Sequence, residues 1–137
     1  MPQISTFLMF VGDQHGKAEE AMNVYVSLFE DSRILGVERF EAGDDETEGT
    51  VKQGRFTLAG REFVAMDSGR EHAFTFTPAI SLLVELEREQ QLDAAYEKLS
   101  DGAAVLMPLQ EYDFSPKFVW LQDRYGVSWQ LSLAASP

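Results

Sequence analysis

The sequence predicts an α+β fold in which one arrangement, a strand, a helix and three further strands, is used twice. Three observations lead there. Apolar residues recur at helical spacing in two separate stretches, Ala18 to Phe29 and Leu92 to Leu99. Strand-forming runs lie before and after each stretch in the same order. Each half also closes in a hairpin of similar flavour, Arg55-Phe-Thr-Leu-Ala-Gly-Arg-Glu-Phe63 and Lys117-Phe-Val-Trp-Leu-Gln-Asp-Arg-Tyr125. Such self-similarity suggests a module used twice.

Taken in order, Ile4 to Val11 is apolar and aromatic and reads as a buried strand. Gly12 to Gly16 is a loop. Ala18, Ala21, Met22, Tyr25, Leu28 and Phe29 then mark one face of an amphipathic helix, with Glu19, Glu20 and Asn23 opposite; Tyr25 and Phe29 are assigned to the core. Asp31-Ser32 ends the helix. Arg33 to Phe40 is a strand, and Glu41 to Glu48, acidic and without apolar period, a solvated loop. Thr50 to Ala59 and Glu62 to Asp67 form a hairpin about Ala59-Gly60-Arg61. Ser68 to Pro78 connects the halves. Ile80 to Leu86 is a strand, and Glu89 to Leu99 a helix stopped at Ser100-Asp-Gly102 by a left-handed glycine. Ala104 to Leu109 is a weaker strand, Gln110 to Pro116 a loop, and Lys117 to Leu133 a hairpin turning at Asp123-Arg-Tyr-Gly126. Its last strand alternates cleanly. Val127, Trp129, Leu131 and Leu133 share one face, with Trp129 as core under a helix, and Ser128, Gln130 and Ser132 share the other. One helix per half covers one sheet face only. The opposite faces must meet each other, meet a partner subunit, or line a cavity.

Size and charge bound the function. At 137 residues the chain is expected to be one domain, with internal modules at about 1–70 and 78–137. Cysteine is absent, which removes disulfides, thiolate metal sites and cysteine nucleophiles, and fits the reducing cytoplasm. The start lacks a basic region followed by a long apolar run, so no signal peptide is expected, and no run is long enough to span a membrane. A net charge of −12 opposes nucleic acid and anionic lipid as partners.

Several runs resemble the vicinal oxygen chelate superfamily of glyoxalase I, bleomycin-resistance proteins and extradiol dioxygenases. Within it they are most similar to the PhnB-like group, which carries the name 3-demethylubiquinone-9 3-methyltransferase-like. The runs are Ala18-Glu-Glu-Ala21 with Tyr25, Phe29 and Ser32; Gly54 to Gly60 with Asp67; Ala79-Ile-Ser-Leu82; Leu92-Asp93 with Leu99; and Trp120-Leu-Gln-Asp-Arg-Tyr-Gly-Val-Ser-Trp-Gln130, the most specific of them. The resemblance implies paired βαβββ modules, a glyoxalase-like fold whose mixed, curved sheets wrap around a cleft, commonly in a homodimer. It also implies that active members hold a divalent metal with His and Glu from the first and last strands of each module. Here those positions offer Ser5 and Thr6, Ser81, Gln130 where an active metalloenzyme carries Glu, and Asp67 or Met66 as a fourth. Hydroxyls and a neutral amide are poor ligands for zinc, nickel or iron, so no metal cofactor is expected. A divalent metal at an atypical site around Asp67 and Gln130, serving a lyase, isomerase or dioxygenase, is the alternative. His15 and His72 fall in loops outside the matching positions and are expected to be solvated.

The methyltransferase name finds no support in the residues. A methyl donor is usually cradled by a Gly-rich turn in a doubly wound sheet, and none of the ten glycines forms Gly-x-Gly. What remains is a pocket. Gln130 and Ser81, with Ser128, Ser132 and Asp67, would form a polar cluster walled by Phe7, Met9, Phe56, Trp120 and Phe118. A mostly apolar cleft with a few placed polar groups suits a small-molecule ligand; a packed interior in which Gln130 and Ser81 satisfy each other is the rival. Asp67 is the one weak catalytic candidate, either a general base or a turn cap. Arg33 either pairs with an acid or holds an anionic ligand. The reading is a metal-free, cytoplasmic, homodimeric small-molecule binding protein, with no enzyme activity assigned. A structural or regulatory dimer with a filled cleft stands as a further alternative.

Overall fold

The computed structural model describes residues 1–135 and divides the chain into two compact units, Met1–Thr75 and a second beginning at Phe76. Each unit is one strand, one helix and three strands. In the first, β1 (Thr6–Phe10) leads through a short 3-10 turn into α1 (Ala18–Val26), followed by β2 (Arg33–Arg39), β3 (Val51–Leu58) and β4 (Arg61–Asp67). In the second, β5 (Ser81–Leu86) leads into α2 (Glu89–Ser100), followed by β6 (Ala104–Tyr112), β7 (Ser115–Gln122) and β8 (Ser128–Leu133).

The two sheets share one topology. Their orders are β1-β4-β3-β2 and β5-β8-β7-β6, with the first strand parallel to the last and the other pairs antiparallel. Both sheets are therefore mixed, and the duplication expected from the two hairpins is present strand for strand. The helix lies on one face of each sheet. In the first unit Ala18, Ala21, Met22 and Tyr25 of α1 are buried, and Met22 lies so close to the sheet that a Cβ on Gly54 would come within 2.5 Å of its sulfur. A glycine is what lets helix and strand approach there. In the second unit Leu92, Ala95 and Leu99 of α2 are buried, and Leu131 and Trp129 of β8 fill the space beneath. Trp129 is core, as its alternation requires. Lys117 of β7 reaches toward the same helix and donates to Glu89 at 2.9 Å and Asp93 at 2.7 Å. These hydrogen bonds, Asp93 foremost, hold its ammonium above the ordinary lysine value of 10.5.

Three expectations need correction. Phe29 lies beyond α1 and is only partly buried, because 3-10-type bonds from Ser27 N to Val24 O and Leu28 N to Tyr25 O close the helix early. Asp31-Ser32 does not stop the helix, which already ends at Val26. Asp31 O accepts Gly60 N at 2.8 Å and Ser32 Oγ accepts Ala59 N at 3.0 Å, so this corner clamps the β3–β4 turn. Finally, most of the expected loop Gln110 to Pro116 is strand. β6 is an edge strand with three register shifts, a setting that tolerates Pro108, and Tyr112 Oη donates back to Pro108 O at 2.7 Å.

Candidate functional site

Strand parity decides which predicted residues can meet. In the second sheet, Ser81, Leu83 and Glu85 of β5 lie beside Ser128, Gln130 and Ser132 of β8, which lie beside Gln122, Trp120 and Phe118 of β7. These nine positions share the face away from α2. They form three rows, Ser81–Ser128–Gln122, Leu83–Gln130–Trp120 and Glu85–Ser132–Phe118, about 6.5 to 7 Å apart along the strands.

A continuous run of hydrogen bonds crosses the first two rows. The Trp120 indole N–H donates to Ser128 Oγ at 2.9 Å. Ser128 Oγ and Ser81 Oγ are 2.7 Å apart, and Gln130 Nε2 donates to Ser81 Oγ at 3.4 Å. Ser128 is buried, whereas Ser81, Trp120 and Gln130 are half-buried. Below them Phe118 is covered by its own hairpin, edge-on to Phe114 at 4.8 Å and to Tyr112 at 5.7 Å. Sequence reasoning placed Gln130, Ser81 and Trp120 in one cluster, and the register brings them together. It did not foresee that Ser128 would be the link between them.

The remaining predicted residues belong to the first unit and divide between its two faces. Phe7 lies on the face away from α1 and is 52% exposed. Phe56 does not: it is fully buried on the helix-covered face, stacked on Phe63 at 5.4 Å. Asp67 shares that covered face, two steps of two along from Phe63. Its carboxylate is 1% exposed and engaged on both oxygens. Oδ1 accepts Gly16 N at 2.8 Å and Ala18 N at 3.1 Å, and Oδ2 accepts Val51 N at 2.9 Å. It finishes the first turn of α1 from a distant strand, since no residue at the helix start supplies a side-chain cap. The weak catalytic candidate is thus a structural tie.

The second unit has a counterpart that sequence reasoning missed. Asp123 is buried in the β7–β8 turn. Its Oδ1 accepts Tyr125 N at 2.9 Å and Val127 N at 3.0 Å, and its Oδ2 accepts the Trp129 indole N–H at 2.9 Å. The signal was available: an Asp opening a four-residue turn that ends in Gly commonly bonds the backbone two residues on. The histidines are also less solvated than expected. His72 Nε2 pairs with Ser68 Oγ at 2.8 Å, and the buried Nε2 of His15 lies 3.9 Å from Glu46, whose carboxylate accepts Gly69 N. Arg33 makes no ion pair among the described residues; its backbone N–H donates to Thr57 Oγ1.

With this geometry in hand, the comparisons are specific. Residues 2–132 match the family described as 3-demethylubiquinone-9 3-methyltransferase. A PhnB protein from Bacillus cereus is 53% identical over 97% of this chain and 100% of its own, with a TM-score of 0.91. The chain belongs to this PhnB-like family. The fold is the glyoxalase-like one. It recurs in the glyoxylase/bleomycin resistance protein/dioxygenase domain from Frankia sp. EAN1pec, at 18% identity, 99% and 94% coverage and a TM-score of 0.63. It recurs again in the fosfomycin resistance protein FosX from Mesorhizobium loti, at 13% identity, 98% and 94% coverage and 0.60. A comparison with curated proteins found no match.

The resemblance to the vicinal oxygen chelate superfamily implies a metal, and the family's description implies a methyl donor. The PhnB-like residues here fit neither. The expected metal positions carry Ser5 and Thr6, Ser81 and Gln130, none an imidazole or a carboxylate; of the fourth pair, Met66 has no charge, and the buried carboxylate of Asp67 is taken up by the N–H groups of Gly16, Ala18 and Val51. On the open faces, Glu62 is held by Arg55 and Gln3, and Glu85 is exposed. Among the described residues no three His, Cys, Asp or Glu side chains form a metal-holding group. A methyl donor would need free N–H groups where β1 turns into α1, and there Gly16 and Ala18 give theirs to Asp67.

Proposed function

We propose that this PhnB-like chain is a metal-free small-molecule binding protein, working as a cytoplasmic homodimer without nucleic acid or membrane as partners. One observation carries the reading. The Trp120–Ser128–Ser81–Gln130 run lies on a sheet face that no helix of its unit covers, with Leu83 beside it 58% exposed. A few convergent polar atoms among aromatic and aliphatic side chains is the usual make-up of a small-molecule site. The homodimer is supported by large apolar side chains left more than half exposed, Ile4 and Phe7 in the first unit and Ile80 and Leu83 in the second. The net charge of −12 supports the reading that nucleic acid is not a partner. No described helix is long and apolar enough to cross a membrane.

The test is Gln130→Ala, read by native mass spectrometry of the protein incubated with a metabolite extract. Wild type is expected to retain a small molecule that the variant loses, while the variant stays folded. A stability loss above about 3 kcal/mol, the scale of a core truncation, would make Gln130 a packing residue and leave the filled cleft as the better account. Stoichiometric metal, lost together with an activity in the same variant, would replace the reading with a metal-dependent lyase, isomerase or dioxygenase.

A further inference from the structure

We propose that the open face of the second sheet takes an uncharged ligand presenting a hydrogen-bond acceptor beside a donor, as an amide or lactam edge does. This deepens the binding reading above and rests on it. Counting hydrogens gives the first part. The indole N–H of Trp120 and an N–H of Gln130 can only donate, and their acceptors are Ser128 Oγ and Ser81 Oγ. One hydroxyl hydrogen lies between the two serines. The other finds no acceptor within hydrogen-bond distance in the run. If it belonged to Ser128, 2% exposed, it would be buried without a partner, which costs about 1–3 kcal/mol. The favoured direction is therefore Ser128 to Ser81, which leaves the hydroxyl hydrogen of half-buried Ser81 to donate outward.

Gln130 gives the second part. Its side chain makes a single hydrogen bond among the described residues, the donation to Ser81, so its amide oxygen and its other amide N–H are unused. The face thus offers an amide oxygen, an amide N–H and a hydroxyl O–H, all neutral. Leu83 and Trp120 flank Gln130 in its row, roughly one strand spacing of 4.7–4.9 Å to either side, and supply apolar surface for a flat ligand body.

Charge gives the third. None of the nine positions is Lys, Arg or His, and the one charged side chain is Glu85, two residues along β5 from Leu83. Lys117 belongs to the opposite face, where Glu89 and Asp93 hold it. A phosphate or carboxylate would meet no counter-charge here, and a cation would meet only Glu85, exposed to solvent and one row away from Gln130.

The experiment uses the full-length protein, labelled with ¹⁵N, and three probes of similar size: 2-quinolinone (a neutral lactam), 2-naphthoate and 2-naphthylmethylammonium. The readouts are the Trp120 indole and Gln130 side-chain amide signals. The lactam is expected to move both and to bind about tenfold more tightly than either charged probe. Gln130→Met, which keeps length but loses both polar atoms, should weaken lactam binding by about tenfold, the loss of one or two hydrogen bonds. If a charged probe moves the same signals and binds more tightly, the ligand class is wrong and the binding site stands. Undiminished lactam binding by Gln130→Met also overturns the class. If no probe moves either signal, both the class and the site reading fail.

Discussion

At the scale of single residues, a buried carboxylate with three backbone partners is where a small change should be felt most. Asp67→Asn keeps one acceptor oxygen and turns a new N–H toward a backbone N–H that needs an acceptor. A stability loss of about 3 kcal/mol is expected in urea unfolding, since each unpaired buried donor costs about 1–3 kcal/mol. Unchanged stability would return Asp67 to the list of functional groups. Ala59 tests the opposite sign. It sits at φ 50°, in the left-handed region, followed by Gly60 at φ 80°. A side chain there costs roughly 1–2 kcal/mol unless it is Gly or Asn, and Asn-Gly suits a two-residue hairpin turn. Ala59→Asn should therefore raise stability by about 1 kcal/mol, measurable as a higher Tm; a lower Tm would mean that the Ser32 and Asp31 clamp depends on alanine. Residues were also where the sequence was hardest to read. Phe63, Ala65 and Asp67 face the helix while Val64 and Met66 face away, and both sets contain apolar side chains, so no alternation announced which way Asp67 points. In β8 the serines and glutamine made the same reading unambiguous.

At the scale of elements, Lys117 joins β7 to α2, and its titration should be visible in stability. Its folded-state pKa lies above the ordinary lysine value. The stabilisation is therefore fully present below that value, 10.5, and is lost as pH rises through the raised one. Thermal unfolding across the alkaline range should show wild type losing Tm faster than Lys117→Met above pH 10.5. A constant gap between the two curves would mean that the aliphatic stem, not the charge, holds the helix. Elements were largely legible. Both helices announced themselves by period, and the hairpins by turn residues. The exception was Gln110 to Pro116, read as a loop and found to be mostly strand. The edge strand β6 runs on to Tyr112 and β7 begins at Ser115, and nothing local in Gln110 to Pro116 distinguishes strand from loop.

At the scale of the whole molecule, the duplicated order of elements was readable because each half repeats the same succession of periods, and the two sheets have identical strand order. The chemistry of the site was readable only in part. Sequence indicates which residues share a strand face, but the Ser128 link depends on the parallel pairing of β5 with β8, a contact between strands far apart in the chain. The proposed homodimer is tested here too. Sedimentation should give a mass near twice 15.4 kDa, and Ile4→Glu should lower it while helix content stays constant. A wild-type chain sedimenting at 15.4 kDa would overturn the dimer.

The two buried aspartates also set a sequence of events in synthesis. Trp129, the most distant partner of Asp123 among those described above, is six residues away, so that turn has all its parts almost as soon as it leaves the ribosome. The start of α1 waits on Asp67, 49 residues downstream of Ala18, and emerges uncapped while β2, β3 and β4 are still being translated. The two buried carboxylates therefore find their partners over different stretches of chain, one within a single turn and the other only once the last strand of the first unit arrives.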